Sequence, residues 1–166
     1  MKNIDEMLVK LYGEKKLSEQ QERYAKAEKA FEELFGRTDN LMIFSASGRT
    51  EVGGNHTDHN RGKVLAAAVG LDVIAFVTPT DDGIITVKSE GFPQDSVDTA
   101  DLAIKEEDKN TSAALIRGVA DGLKKDGFNI GGFKAYTTSN VLKGLYLISP
   151  SASSTRILYV SPTYKL

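Results

Sequence analysis

Hydrophobic positions recur at helical spacing over the first 36 residues, which predicts two helices that each pack through one face. Asn3 and Ser18 are placed to cap the two helices at their starts, and Gly13 and Gly36 to end them. The apolar face of the first helix consists of Met7, Leu8, Leu11 and Tyr12. The apolar face of the second consists of Tyr24, Ala27, Phe31 and Leu34. We interpret both helices as packing elements without a chemical role.

The pattern then changes to short apolar runs, which are typical of strands. Residues 41–44 form such a run and lead into a polar, glycine-rich stretch. After that stretch, residues 64–69 predict a buried segment, and residues 71–77 predict a strand that is covered on both faces. The Asp-Asp-Gly sequence at 81–83 predicts a hairpin turn, with a return strand at 84–87.

The remaining pattern combines one helix with two strands. Residues 96–104 and 131–138 predict strands, and between them Asn110 is placed to cap a helix that ends near Gly127. The apolar stripe of this helix consists of Ile116, Val119 and Leu123. Because helices and strands are mixed rather than strictly alternating, we predict an α+β fold.

Composition narrows the classes of function. The chain has 166 residues, of which 40% are hydrophobic and 27% charged, and this is typical of one globular domain. A formal net charge of -2 argues against nucleic-acid binding, which needs a basic face. The chain has no cysteine, no signal-like apolar core and no apolar run of membrane-spanning length. We therefore expect a cytoplasmic protein that does not enter a membrane.

The residues from Gly48 to Asn60 carry most of the candidate chemistry. They read Gly-Arg-Thr-Glu-Val-Gly-Gly-Asn-His-Thr-Asp-His-Asn and contain both histidines of the chain, His56 and His59. Glycines permit backbone conformations and close approaches that side chains block. Because this polar run lies between two apolar, strand-like segments, we predict a binding loop that is held by a rigid scaffold.

The residue types in this loop suit a neutral sugar. A sugar offers no charge, so planar polar groups must accept from and donate to its adjacent hydroxyls. Asn55, His56 and Asp58 supply such groups within four residues. Arg49 adds a permanent positive charge with five donors, which suits the charge that develops in phosphoryl transfer. The loop therefore predicts part of a sugar kinase site.

This stretch resembles the signature of the galactokinases, members of the GHMP family of small-molecule kinases. A bacterial form of that signature, G-R-T-E-x-G-G-N-H-T-D-H, matches residues 48–59 at every position. The resemblance continues through residues 62–69 and 81–92 and extends to about Gly144. It implies the N-terminal domain of the GHMP kinase fold, which is similar to the second domain of ribosomal protein S5.

The resemblance also implies roles for particular residues. Arg49 falls on the catalytic arginine that stabilises charge near the transferred phosphate, and Asn55, His56 and Asp58 fall on the positions that contact the sugar. Only Asn55 departs from the common form, which has glutamate, and an amide keeps an acceptor and adds donors. The implied reaction transfers the γ-phosphoryl group of ATP, with Mg²⁺, to the anomeric hydroxyl of D-galactose. Its product is galactose 1-phosphate, in the Leloir pathway of galactose metabolism.

Plainer roles exist for the same residues. His56, Asp58 and His59 could ligate a metal, but no fourth ligand is evident and the resemblance implies sugar contact, so we expect no metal site. The loop could also have no role beyond its turn geometry. The length of the match to the galactokinase signature argues against that interpretation. We interpret the acidic pair Asp81 and Asp82 as turn chemistry.

The resemblance ends after Gly144. GHMP kinases carry a phosphate loop of the form G-x-G-L-S-S-S-A soon after a strand such as 131–138, where residues 140–155 keep serines without that glycine spacing. The cofactor-binding residues are therefore unknown. We divide the chain into a galactokinase-like, galactose-binding region, 1–144, and a divergent tail, 145–166.

We interpret the tail as out-of-frame sequence in a truncated galactokinase reading frame, and the rival interpretation is a genuinely diverged short protein. Loss of the phosphate loop and of the general base predicts a weak or inactive kinase in either case. The alternative functions are a non-catalytic galactose-binding or regulatory module and an unfolded fragment without activity. N-acetylgalactosamine stays open as an alternative sugar.

Overall fold

Helices and strands are mixed along the described part of the chain, which confirms the predicted α+β class. A computed structural model describes residues 2–53 and 65–141, with side chains at positions 4–50 and 65–141. The helices are α1 (Lys2–Tyr12), α2 (Leu17–Phe35) and α3 (Ser112–Lys125). The strands are β1 (Met42–Gly53), β2 (Leu65–Thr80), β3 (Ile84–Ser89), β4 (Gln94–Asp98) and β5 (Gly132–Ser139).

The strands form one sheet in the order β1-β2-β5-β3-β4. β3 pairs antiparallel with β4, where Ile85 lies opposite Val97, and parallel with β5, where Ile85 lies opposite Phe133. β5, the last of the described strands, therefore lies between β2 and β3. The predicted hairpin of β2 and β3 is wrong, because a local turn signal does not determine which strand a neighbour pairs with.

The turn between β2 and β3 forms as predicted, although the strands that it joins do not pair. Asp82 accepts hydrogen bonds from the Ile84 backbone N–H at 2.9 Å and from Thr80 Oγ1 at 2.7 Å. These bonds, the first more than the second, hold the pKa of Asp82 below its ordinary value. Gly83 follows with a φ of 71°, a conformation that favours glycine. Asp82 therefore has a turn role, as its sequence context predicts.

The first two helices follow the predicted periodicity, with errors at their starts. Gly13 and Gly36 end α1 and α2 with φ values of 80° and 82°. Asn3 and Ser18 lie one residue inside the observed helices, so the predicted caps are wrong.

The buried face of α2 is the predicted one except near its end. Tyr24, Ala27 and Phe31 are at most 3% exposed, whereas Leu34 is 45% exposed. Tyr24 meets Phe76 of β2 edge to face, with ring centroids 6.1 Å apart. Burial of this stripe is a main source of stability for the helix, because helix propensity alone is a weak force.

The start of the predicted binding loop is strand. β1 continues to Gly53, so residues 48–53 extend the strand before the described chain is interrupted. The β-branched Thr50 suits this conformation. The predicted buried segment 64–69 is wrong over its described part, because residues 65–68 are exposed and Leu65 is 65% exposed.

The middle of β2 is buried on one face rather than on both. Asp72, Ile74 and Phe76 are at most 3% exposed, whereas Val73 between them is 39% exposed. This period of two is what a strand shows when one face packs on a core. Asp72 is a carboxylate on the buried face, and such a group is costly unless it is hydrogen-bonded.

The end of β4 and the start of α3 are set by side chains that bind nearby backbone. β4 ends at Asp98, whose carboxylate accepts from a backbone N–H two residues on, so the predicted strand at 96–104 is too long. Thr111 caps α3 by accepting from the Ala114 N–H at 3.3 Å. The predicted cap, Asn110, instead has a positive φ of 64°.

α3 packs through a face that only overlaps the predicted stripe. The core cluster that it helps to cover consists of Ile85, Val97 and Ala120. Ile116 packs against this cluster, but Val119 is 65% exposed and Leu123 is 42% exposed. Spacing alone therefore places the stripe about one residue away from the buried face.

Arg117 of α3 is buried and makes three hydrogen bonds. Its Nε and Nη2 donate to Asp108 Oδ2 at 3.1 Å and 2.7 Å, and its Nη1 donates to the Asp101 carbonyl at 2.5 Å. Arg117 is 7% exposed, so these bonds replace the water that its charge loses on folding. They hold the segment before α3 against the helix.

The described residues fall into two compact units. One unit contains α1, the start of α2, most of β1, the first part of β2 and the end of β5. The other contains the rest of α2, the end of β2, β3, β4, α3 and most of β5. The predicted loop residues that the structure describes belong to the first unit.

A substitution at Gly132, the first residue of β5, tests how closely this strand packs against the turn between β2 and β3. A Cβ there would lie 2.7 Å from each of Thr80 Oγ1, Asp82 Oδ1 and Ile84 N. We expect Gly132→Ala to lower the free energy of unfolding by about 2 kcal/mol, because the Ile84 backbone cannot move without loss of its turn.

The control is Gly131→Ala, where an added Cβ has no neighbour within 4 Å. Urea unfolding of both variants measures the difference. Equal stability of the two variants would contradict the close approach at Gly132.

Candidate functional site

The described residues contain the scaffold of the predicted site and its arginine. Arg49 lies on β1 with an exposed side chain, shortly before the strand ends at Gly53. Asn55, His56 and Asp58, which the sequence predicts as sugar contacts, lie outside the described residues. The strands that flank them, β1 and β2, are neighbours in the sheet. Both ends of the predicted loop therefore start from adjacent strands.

Gly48, the residue before Arg49, lies where the backbone approaches its neighbours closely. A Cβ on Gly48 would lie 3.1 Å from Val69 Cγ2 and 3.2 Å from both the Leu71 carbonyl oxygen and Val141 Cγ2. β1 thus passes close to β2 and to Val141, the second residue after the end of β5. This close approach gives a physical reason for glycine at the first position of the signature.

Asp72 lies at the centre of a buried hydrogen-bond network that contacts the same strands. The Tyr12 hydroxyl of α1 and the Ser45 hydroxyl of β1 both donate to Asp72 Oδ2, each at 2.5 Å. Both distances lie at the short end of the range for hydrogen bonds between oxygen atoms. Asp72 and Ser45 are 3% and 8% exposed. The carboxylate therefore joins α1, β1 and β2 out of contact with solvent.

The backbone of Asp72 is paired with the residue that follows β5. Asn140 Oδ1 accepts from the Asp72 N–H at 2.8 Å, and the Asn140 N–H donates to the Asp72 carbonyl at 3.2 Å. Ser139 continues this arrangement, because its Oγ accepts from the Val141 N–H at 3.1 Å. The exit from β5 is therefore fixed relative to β2 at the position of Asp72.

A second polar cluster lies at the carboxyl ends of the parallel strands β3 and β5. Thr137 Oγ1 donates to Ser89 Oγ at 2.9 Å, and Lys26 Nζ donates to Glu90 Oε1 at 3.0 Å. Burial, and secondarily the charge of Glu90, raise the pKa of Tyr136. The hydrogen bond to Glu90 raises the pKa of Lys26, an exposed residue whose ion pair contributes little to stability.

The described residues can be compared with what a nucleotide and its metal need. ATP and Mg²⁺, which the resemblance implies, need a backbone cradle and oxygen ligands. Within residues 4–50 and 65–141, no group of three or more His, Asp and Glu side chains could hold a metal ion. β5 ends at Ser139, and the described residues after it, Asn140 and Val141, contain no glycine. None of the helices in the described ranges is long and apolar enough to cross a membrane.

Comparison with known proteins identifies this part of the chain. Residues 29–79 match the family model of the galactokinase galactose-binding signature. The galactokinase of Streptomyces coelicolor is 34% identical over 124 residues, which cover 74% of this chain and 31% of that protein. The galactokinase of Bacillus subtilis is 30% identical over 125 residues, which cover 74% of this chain and 32% of that protein.

A solved structure agrees with these sequence matches. The crystal structure of Lactococcus lactis galactokinase complexed with galactose matches with a TM-score of 0.63 and 27% sequence identity. The match covers 72% of this chain and 31% of that one. The described residues therefore have the α+β fold of the N-terminal part of a GHMP sugar kinase.

Among such kinases, the chain resembles the galactokinases over the N-terminal part of their length. The resemblance predicted from residues 48–59 is confirmed. The chain spans about a third of the length of the relatives that it matches.

Sequence reasoning missed the network around Asp72. Helical spacing places Tyr12 on an apolar face, and the local sequence gives Ser45 and Asn140 no role. The available signal was Asp72 itself, the one charged residue in the apolar run 71–77. A charge in a strand that is otherwise apolar predicts buried partners, although it does not identify them.

The close approach at Gly48 leads to a direct test. We expect Gly48→Ala to lower the free energy of unfolding by about 1 kcal/mol, because the Leu71 carbonyl belongs to the backbone and yields less than the two valine methyls. Gly70→Ala on β2 is the matched control, since an added Cβ there has no neighbour within 4 Å. Thermal or urea unfolding of both variants measures the effect, and a Gly48→Ala variant at least as stable as Gly70→Ala would refute the tight contact.

Proposed function

We propose that this chain binds D-galactose through Asn55, His56 and Asp58, with Arg49 beside the anomeric hydroxyl. The observation that carries the proposal is the match of residues 29–79 to the galactokinase galactose-binding signature, because all four residues lie in that span. The L. lactis protein of similar fold was crystallised with galactose. The described strands on either side of the loop supply the rigid support that sugar recognition needs.

The chemistry of these side chains suits the proposal. Asp58 accepts from two sugar hydroxyls when ionised, His56 both donates and accepts when neutral, and the Asn55 amide does both as well. Such groups distinguish sugars by the direction of each hydroxyl, because an unpaired group in the site costs binding energy. Arg49 contributes a positive charge next to the hydroxyl that would react.

The complete reaction that we assign to a protein with this site is a galactokinase reaction. ATP, with Mg²⁺, would supply the γ-phosphoryl group, and the anomeric hydroxyl of galactose would accept it to form galactose 1-phosphate. Arg49 would stabilise negative charge on the transferred group, a role that electrostatic stabilisation of phosphoryl transfer requires.

A second candidate function is a non-catalytic galactose-binding or regulatory module. The observation in its favour is the sequence of residues 140–155, which lacks the G-x-G-L-S-S-S-A spacing of a phosphate loop. Such a chain would bind galactose without transferring a phosphoryl group. The two candidates share the sugar site and differ only in nucleotide chemistry.

Titration with galactose in the absence of ATP tests the shared sugar site. We expect binding by the chain, and we expect Asp58→Ala to raise the Kd by about 10- to 100-fold, because hydrogen bonds to a carboxylate contribute about 1.5–3 kcal/mol. Asp81→Ala removes an exposed carboxylate from the turn after β2 and serves as the matched control. The assignment would be contradicted if the wild-type chain did not bind galactose. It would also be contradicted if Asp58→Ala and Asp81→Ala raised the Kd equally.

Turnover separates the two candidates. With galactose, ATP and Mg²⁺ present, a kinase produces ADP and galactose 1-phosphate, whereas a binding module leaves ATP unchanged at a galactose concentration that saturates the site. Parallel titration with N-acetylgalactosamine determines which of the two sugars the site prefers. ADP that forms only when no sugar is present would support neither candidate.

A further inference from the structure

We propose that Asp72 is a positioning residue for the galactose site, acting through β1 on Arg49. The inference rests on the proposed function and adds a residue that is not part of the signature. Its basis is the juxtaposition of a buried carboxylate with Tyr12, Ser45 and Asn140, all within one compact unit.

The first step in the argument is the chemistry of the network. Asp72 is 3% exposed, and two hydroxyls donate to its Oδ2 at 2.5 Å. In a site with so little water, a lost partner is not replaced by solvent, so each donor is held in one position. An apolar residue of similar size would pack at this position without fixing the direction of either donor.

The second step is the path from Asp72 to Arg49. Ser45 and Arg49 lie four residues apart on β1 and therefore share one face of the strand. Between them, a Cβ added to Gly48 would lie 3.2 Å from the carbonyl oxygen of Leu71, the residue before Asp72, so the two backbones pass close together there. β1 is thus fixed against β2 at Ser45 and again at Gly48. These two contacts lie on the strand that carries Arg49, four residues and one residue before it.

The third step is the exit from β5. Asn140 binds both the N–H and the carbonyl of Asp72, and Val141 Cγ2 lies at the same close approach at Gly48. The residues that follow β5 therefore start from a point that is fixed relative to Arg49. A single residue, Asp72, joins the arginine-bearing strand to this starting point.

The experiment compares galactose affinity at matched loss of stability. Asp72→Asn removes the charge and one acceptor, and Asp108→Asn weakens a different buried contact, that with Arg117 in the other compact unit. Melting temperatures of both variants are measured first, and galactose titrations follow at a temperature where each is folded. We expect Asp72→Asn to raise the Kd at least about tenfold, because small displacements of binding groups have large effects. We expect Asp108→Asn to leave the Kd within about twofold of wild type, since Asp108 and its partner Arg117 both belong to the other compact unit.

Two milder variants keep the inference testable if Asp72→Asn does not fold. Tyr12→Phe and Ser45→Ala each remove one of the two hydroxyl donors and leave the carboxylate in place. We expect each to raise the Kd by about threefold or more relative to a control of equal melting temperature. A purely structural role would lower the melting temperature and leave the affinity of the folded fraction unchanged.

The possible outcomes separate this inference from the proposed function. If the wild type binds galactose and the Kd rises only in the variants of the Asp72 network, both the proposed function and the positioning role are supported. Wild type that binds, with folded network variants that bind equally well or with Asp108→Asn equally impaired, overturns the positioning role and leaves the proposed function intact. Wild type that does not bind galactose overturns the proposed function, and the positioning role fails with it.

Discussion

The sheet depends on the pairing of β5, the last described strand, between β2 and β3. β5 begins at Gly132, where only a residue without a side chain fits against the turn at 80–84. It ends at Ser139, and the next residue, Asn140, pairs with the backbone of Asp72. Its parallel register with β3, Ile85 opposite Phe133, contributes to the core below α3. The packing at the turn, at the core and at the base of the candidate site thus involves one strand.

The local features of this fold could be predicted from sequence, and the long-range ones could not. The spacing of Tyr24, Ala27 and Phe31 predicts the buried face of α2, and the glycines at 13 and 36 predict where the first two helices end. The Asp-Asp-Gly turn predicts its own geometry but not the strand order, because the free energy of pairing β5 with β3 depends on residues that are about 50 positions apart. The observed burial differs from the predicted burial at the end of α2 and along α3. Helical spacing gives the period of the apolar residues but does not determine which side of the helix is covered.

The candidate site also combines features that are local in the sequence with features that are not. The residues that we propose for sugar contact and catalysis, Arg49, Asn55, His56 and Asp58, lie in one short stretch, and a contiguous pattern can be recognised in a single sequence. Its support is assembled from Tyr12, Ser45, Asp72 and Asn140, which belong to different elements. No short pattern joins these four positions, so the hydrogen bonds become visible only in the folded chain. The signature is therefore visible in the sequence, whereas the hydrogen-bond network around Asp72 is not.

The strand order also has a consequence for how the chain is made. A ribosome releases β1 to β4 before β5, so the edges of β2 and β3 that later receive β5 are both unpaired while the intervening residues, including α3, are synthesised. Unpaired strand edges are templates for pairing with other chains. The nascent protein therefore passes through a period of exposure that ends only when the residues up to Ser139 have left the exit tunnel, and chaperones that shield strand edges would act in that interval.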